Sequence, residues 1–390
     1  MNSKPSLKVQ LIVFSLFFII AFIIYSNTFH VPFYFDDETN IVRNPYIHMR
    51  ELSIDSIKKA LTMGYAKNRP FANLSFAINY YFGKLNVFGY HLVNIIIHAL
   101  AGIGVYLLIF TTLGLTKYRE KRFEIALFTG LLWLAHPIQT QAVTYIVQRM
   151  TSMCSMFYIF SLLFYSLGRQ RKGKAAWLYF SFSAITGILA FGTKEIAATL
   201  PFFIFLYEIT FFPGSLKKKS LLFFAMLVPM IIVGILYMGG LHNLLGQLKR
   251  ILSNEYGNRP FTVSERLMTE ARVVLYYLSL IVYPRPSRLN LDYDFPLSKG
   301  LFAPPTTFFS IIIIFIFVAL GLFLLRKKPL IGFFILWYFG NLVIESSVFG
   351  FELVYEHRLY LPSIAPILLF TLLCFSFLDL LKKRKAKAFA

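Results

Sequence analysis

Acidic side chains are scarce in this chain. It carries 18 Asp and Glu against 39 Lys and Arg, and charged residues together make up 15% of its 390 residues, against about 25% in an ordinary soluble domain. Cysteine is nearly absent. The two present, Cys154 and Cys374, lie inside apolar runs; they form no disulfide framework and no metal-ligand spacing, and read as small core hydrophobes. No phosphate-binding loop, dinucleotide glycine fingerprint, HExxH or Gly-x-Ser-x-Gly motif occurs, so a nucleotide-using enzyme or a zinc hydrolase has no support. No tetratricopeptide or other repeat is found, and no shift in composition marks a separate soluble domain.

Apolar sequence fills the space instead. Hydrophobic residues are 57% of the chain and aromatics 18%, with a mean hydropathy of +0.64. A water-soluble fold of this size would leave much of that surface exposed. A bilayer crossing takes about 20 residues, so ten or eleven helices would use about 200–220, which matches the apolar fraction. The fold class is therefore an all-α polytopic membrane protein. A soluble enzyme, a disordered chain and a secreted disulfide scaffold are excluded, and continuous rather than alternating apolar runs argue against a β-barrel. The net charge of +21 does not indicate nucleic acid. The basic residues cluster in short loops between spans, the positive-inside pattern, where anionic lipid headgroups are their partners.

The expected spans are 11–24, 88–113, 123–135, 150–168, 175–192, 195–212, 220–240, 304–325, 329–345 and 359–381. Lys4 and Lys8 precede the first run, which leads into aromatic sequence without a small-residue cleavage site, so it reads as a span and not a cleaved signal. Alternation puts the clusters Lys117/Arg119/Lys121/Arg122, Arg169/Arg171/Lys172/Lys174, Lys217–Lys219, Arg326–Lys328 and Lys382–Lys387 on one side with the N-terminus, and hence both termini in the cytoplasm. Residues 264–284 are apolar enough to insert, yet a crossing there would invert the later clusters. They are expected to form a re-entrant or interfacial helix with both ends outside. Residues 1–390 thus read as one membrane-embedded domain, with a first external loop at 30–70 and a second external region at 241–303. A prokaryotic plasma (inner) membrane, with the site facing outside or the periplasm, is the expected location.

This topology sends nearly all polar sequence other than Lys and Arg to the outer face. Tyr34-Phe35-Asp36-Asp37-Glu38 follows the first span; three adjacent acids suit a general base or a divalent-metal site, or else a helix cap. Arg69 borders an apolar stretch, as a phosphate ligand or an arginine snorkelling to headgroups. Asn73-Leu74-Ser75 matches a glycosylation sequon but lies at the membrane boundary. His91, Asn94 and His98 form one polar stripe on a helix, and helix–helix hydrogen bonding is the better account of His98. His136-Pro137 breaks the third span. Beyond it Tyr145, Gln148, Arg149 and Ser152 share a face, where an arginine with polar neighbours suits an anion site. Lys194-Glu195 either neutralise each other or hold a charged headgroup. Arg358 and Tyr360 are expected at the outer surface before the last span, where an interfacial anchor is the alternative.

These motifs come in a telling order: Asp36-Asp37, Asn44-Pro45, Arg69-Pro70-Phe71-Ala72-Asn73-Leu74-Ser75, Gly89-Tyr90-His91 with Asn94 and His98, His136-Pro137, Gln148-Arg149, Lys194-Glu195, Leu291-Asp292-Tyr293, and Arg358-Leu359-Tyr360-Leu361-Pro362. From about residue 30 to 365 the chain resembles the membrane half of the transmembrane-and-tetratricopeptide O-mannosyltransferases and, more widely, the GT-C superfamily that includes the protein O-mannosyltransferases. The resemblance implies a GT-C-like bundle with an outer-face site built from the first external loop. It implies a polyprenyl- or dolichyl-phosphate sugar donor, usually mannose, and inverting transfer to a hydroxyl on a protein or glycan. Carried onto this chain, Asp36 is the base that activates the acceptor, with Asp37 second. Arg69, Arg149, Lys194 and Arg358 are donor-phosphate ligands, and His91, His136, Gln148, Glu195 and Tyr360 line the site. No metal is demanded; a divalent Mg or Mn ion, if one binds, falls to Asp36 and Asp37. The family's tetratricopeptide array is missing, which leaves the acceptor open, and His357 has no assigned role. The rival readings are a transporter or lipid-linked-sugar flippase, and a membrane scaffold without chemistry. The enzyme reading requires Asp36, Arg69, Arg149 and Arg358 to converge.

Overall fold

The structure, a computed structural model, describes residues 5–217 and 259–388, with scattered positions between them; of residues 383–388 only the backbone is described. Helices are numbered here among the described residues. Ser6 opens α1 (Leu7–Tyr25), its hydroxyl accepting the Val9 amide at 3.4 Å. Nineteen residues rise about 28 Å, the thickness of a bilayer's hydrocarbon core. A single stripe at four-residue spacing, Val13, Phe17, Ala21 and Tyr25, is buried. Leu11, Ile12, Ile19 and Ile23 point outward, an exposure that suits lipid and not water.

Phe17 packs where two glycines make room. A Cβ on Gly102 or Gly130 would stand 2.9 Å from its ring, so α4 (Val87–Leu113) and α5 (Arg122–Ala135) close on α1. The short α6 (Thr140–Thr144) leads to α7 (Arg149–Arg169), which with α4 forms the buried centre of the bundle. On the periphery, α8 (Gly173–Phe191) buries only Ser183, Gly187 and Ala190. A 3-10 turn, Glu195–Thr199, enters α9 (Leu200–Phe211). The remaining helices are α10 (Val263–Val282), α11 (Thr306–Lys327), α12 (Pro329–Leu342) and α13 (Ile364–Ala388).

Six helices among the described residues are long and apolar enough to cross a membrane: Leu7–Thr28, Val87–Leu113, Ile146–Arg169, Gly173–Phe191, Thr306–Lys327 and Ile364–Lys382. The protein is an all-α polytopic membrane protein, and no strand occurs among the described residues. The expectation of ten or eleven full spans is only partly met. Expected spans 123–135, 195–212 and 329–345 correspond to α5, α9 and α12, which have only 14, 12 and 14 residues. Pro137 follows α5, and prolines open the other two, Pro201 in the first turn of α9 and Pro329 at the start of α12, where proline is tolerated. Expected span 220–240 lies outside the described residues. The segment at 264–284 is a helix, α10, opened by a capping box between Thr262 and Glu265.

Side-chain bonds gather the basic clusters at one end of the bundle. Lys121 pairs with Asp379, and the Arg169 guanidinium bonds the Glu208 carboxylate at 2.6 and 2.9 Å. Tyr207 joins Thr112 of α4 at 2.8 Å and Ser166 of α7 at 3.0 Å. The other polar residues singled out from sequence gather at the opposite end.

Candidate functional site

The loop after α1 is fixed by a turn at residues 34–38. Phe35 has φ +48°, the left-handed region that a bulky side chain rarely adopts and that costs about 1–3 kcal/mol. Its ring is 66% exposed. The Asp37 carboxylate closes the turn, accepting the Tyr34 amide at 3.3 Å and the Val147 amide at 2.7 Å. The Asp36 amide donates to the Tyr145 hydroxyl at 2.8 Å, and the Tyr145 ring stacks on Tyr34 at 4.8 Å. Asp37 is wholly buried and Asp36 exposed. Burial pushes the Asp37 carboxyl up to about 7, against the pull of the two amides. The two adjacent acids thus have different roles: Asp37 is a fastening, and Asp36 presents a carboxylate to solvent.

Four cations and three carboxylates collect nearby. The Arg69 fork meets Glu195 at 2.8 and 3.2 Å, and both side chains remain partly exposed. Burial raises the Glu195 carboxyl, but the charges of Arg69 and Lys194 outweigh it and hold the group below its ordinary range. Lys194, although adjacent to Glu195, turns away. It bonds Glu345 at 2.7 Å and the Thr151 hydroxyl at 2.9 Å. Arg266 meets Glu270 at 2.9 Å, and Arg358 lies 3.8 Å from the same carboxylate. The Arg358 Nη atoms bond the carbonyls of Leu353 and Glu352, while its buried Nε has no partner. His357 bonds Gln141 at 2.9 Å, and burial followed by the charges of Lys194, Arg358 and Arg69 holds its ring well below the usual histidine range. Tyr355 packs on this group. Its ring stacks on His357 at 5.0 Å and lies 5.6 Å from the Arg358 guanidinium. Burial and the charges of Glu352 and then Asp36 push its phenol up.

Other expected site residues lie elsewhere. Arg149, expected to bind phosphate, is wholly buried. It donates to Asn94 at 2.7 Å and to the carbonyls of Ser75 and Tyr90 at 3.2 and 3.0 Å, with its face on Phe76 at 4.6 Å. It ties α3 (Pro70–Gly83) and α4 to α7 and faces no open site. Tyr360 is fully buried rather than at the outer surface, because its hydroxyl bonds His98 at 2.7 Å. His98 also reaches the Leu134 carbonyl at 3.0 Å, the interhelical role expected of it. His136 is taken up by the Ile281 carbonyl and the Ile138 amide, and His91 by the Val31 carbonyl at 3.0 Å. Gln148 is half-buried and accepts from Thr151 at 2.9 Å, one bond from Lys194. Asn73 of the sequon is buried and donates to the Ala66 carbonyl, so a glycan has no access to it.

Sequence reasoning missed Glu345, Glu270, Arg266 and Tyr355. The one available signal was Arg266 and Glu270 four apart in an apolar helix, since charges in such a helix come in pairs. Tyr293 of the Leu291-Asp292-Tyr293 motif bonds Glu356 at 2.6 Å, fastening the stretch after α10 to the segment before α13. Both Asp37 oxygens accept backbone amides, which leaves Asp36 as the exposed carboxylate of the pair. No group of three or more His, Cys, Asp or Glu side chains able to hold a metal ion occurs among the described residues.

Comparison with known proteins agrees with the resemblance to protein O-mannosyltransferases. Human protein O-mannosyl-transferase TMTC2 is 27% identical over 292 residues, 70% of this chain and 34% of its own length. The Xenopus laevis protein of the same name is 25% identical over 297 residues, again 70% and 34%. A Caenorhabditis elegans protein O-mannosyl-transferase is 24% identical over 371 residues, 88% of this chain and 48% of its own. The chain therefore spans between a third and a half of the length of these curated relatives. No protein-family model matches it, and no solved structure matches it.

Proposed function

We propose that this chain is an inverting glycosyltransferase that moves a mannosyl group from a polyprenyl-phosphate donor to a protein hydroxyl on the non-cytoplasmic side of the membrane. One observation carries the reading. The exposed Asp36 and a group of four cations against three carboxylates, Arg69, Lys194, Arg266 and Arg358 against Glu195, Glu270 and Glu345, share one end of the bundle. The names of the relatives support mannosyl transfer to protein.

In this mechanism Asp36 takes the proton from the acceptor hydroxyl. The hydroxyl oxygen attacks the anomeric carbon, the bond from that carbon to the phosphate oxygen breaks, and the lipid phosphate leaves with its electron pair. The one positive charge in excess stabilises the leaving phosphate, in a site where fixed charges need no reorganisation. Arg69, which is partly exposed, and the unpartnered Nε–H of Arg358 are the donors that face it. Arg149 has no part in this step.

The test is mannose transfer from synthetic polyprenyl-phosphate-mannose to a Ser/Thr peptide by purified protein, wild type against Asp36→Asn. Transfer that collapses in the variant supports the reading. Donor binding without transfer by the wild type refutes it in favour of a flippase.

A further inference from the structure

We propose, on the premise of the transfer reaction above, that Tyr145 is the positioning residue for Asp36: its hydroxyl holds the Asp36 amide and so fixes the direction in which the carboxylate points. The turn that carries Asp36 is strained at Phe35 and persists only where its surroundings over-determine it. Most of its fastenings are local. The Asp37 and Glu38 amides bond the Tyr34 and Phe35 carbonyls at 3.1 Å, and Asn40 bonds the Asp36 carbonyl at 2.9 Å. Two fastenings come from more than a hundred residues away, Val147 to the Asp37 carboxylate and Tyr145 to the Asp36 amide. The Tyr145 bond is the one that acts on Asp36 itself.

Tyr145 is suited to this task. Its ring is buried and stacked on Tyr34, the residue before the strained position. Its backbone is extended between α6 and the turn that begins α7. The hydroxyl is thus held from both sides, by the first loop through Tyr34 and by the core through the chain. Its role is separable from that of the ring. The ring packs the loop onto the bundle, and the oxygen alone accepts the Asp36 amide. Tyr145→Phe therefore keeps the packing and releases the aim of the base.

The experiment compares wild type, Tyr145→Phe, Asp36→Asn and the double variant in transfer from polyprenyl-phosphate-mannose to a Ser/Thr peptide, with thermal midpoints alongside. Tyr145→Phe should lower kcat by about 10- to 100-fold, because a misaimed base loses its near-attack geometry. Donor KM should stay within about 2-fold, since uniform binding is untouched. In the Asp36→Asn background the same substitution should leave the residual rate unchanged, because both act through one group. A kcat equal to wild type overturns the proposal. So does an equal loss in both backgrounds, or a fall in thermal midpoint that matches a loss of folded protein. If the wild type transfers no sugar, the reaction itself is refuted and the positioning role falls with it; transfer by the wild type with a silent Tyr145→Phe refutes the positioning role alone.

Discussion

Lys194 tests which of two roles a buried cation plays here. Its ammonium lies 2.7 Å from Glu345, and the side chains are only 4% and 6% exposed. At that distance and an effective dielectric constant of about 20, the attraction is about 6 kcal/mol before desolvation is subtracted. Removing one partner leaves the other charged and alone, which typically costs about 3–5 kcal/mol. Lys194→Met should therefore destabilise the protein by about that amount, and Glu345→Leu similarly, whereas the double variant should recover most of the loss. The assay is a double-mutant cycle on the unfolding of detergent-purified protein, followed by intrinsic fluorescence, with donor KM measured on each folded variant. If Lys194 serves Glu345, the double variant regains both stability and donor affinity. If Lys194 touches the donor phosphate, stability returns and donor KM stays raised. Single losses that add to within about 0.5 kcal/mol would refute the coupling, and with it the view that this ion pair holds the turn before α9 against the segment after α12.

Asp36→Asn should cut transfer to a small residual rate with an unchanged thermal midpoint, whereas Asp37→Asn should keep initial rates well above that rate, because an amide oxygen still accepts the Val147 amide. Stability should depend on pH through Asp37. Its carboxyl is raised from 3.8 to about 7 in the fold, so the folded state holds the proton more tightly than the unfolded chain. Stability is then fully present below about pH 4 and falls by up to about 4 kcal/mol as pH rises to 7. Thermal midpoints of wild type against Asp37→Asn between pH 4 and 8 should show this slope in the wild type and a flatter line in the variant. Arg149→Lys should cost about 2–4 kcal/mol, because an ammonium cannot span the Asn94 side chain and two carbonyls at once; a thermal midpoint equal to wild type would contradict that role.

The long helices were legible because each is one uninterrupted apolar run. Expected spans 88–113 and 304–325 fall within two residues of α4 and α11. The short helices were legible in their bounds as well: expected spans 123–135 and 329–345 match α5 and α12 to within three residues, and 195–212 covers the 3-10 turn and α9 together. The helix at α10 was legible and its charges were not weighed. Arg266 and Glu270 form an ion pair four residues apart on one face, which a reading of apolar runs passes over.

The site was legible in its chemistry and less so in its pairing. Lys194 and Glu195 are neighbours in sequence, and mutual neutralisation was one open reading. The extended backbone at Lys194, φ −158° and ψ 149°, instead sends the two side chains apart. Glu195 finds Arg69 across 126 residues and Lys194 finds Glu345 across 151. Nothing local marks such partners. Arg149 shows the same limit from the other direction. Two of its three acceptors are backbone carbonyls, which every residue carries, so an arginine held by the fold and a ligand-binding one look identical in sequence. The distinction rests on burial and bond direction. By that measure Arg69, partly exposed, is the cation left to meet an anion, while Arg358 is buried like Arg149 and differs from it in its unpartnered Nε. Arg149 is the one whose loss should be felt first in folding.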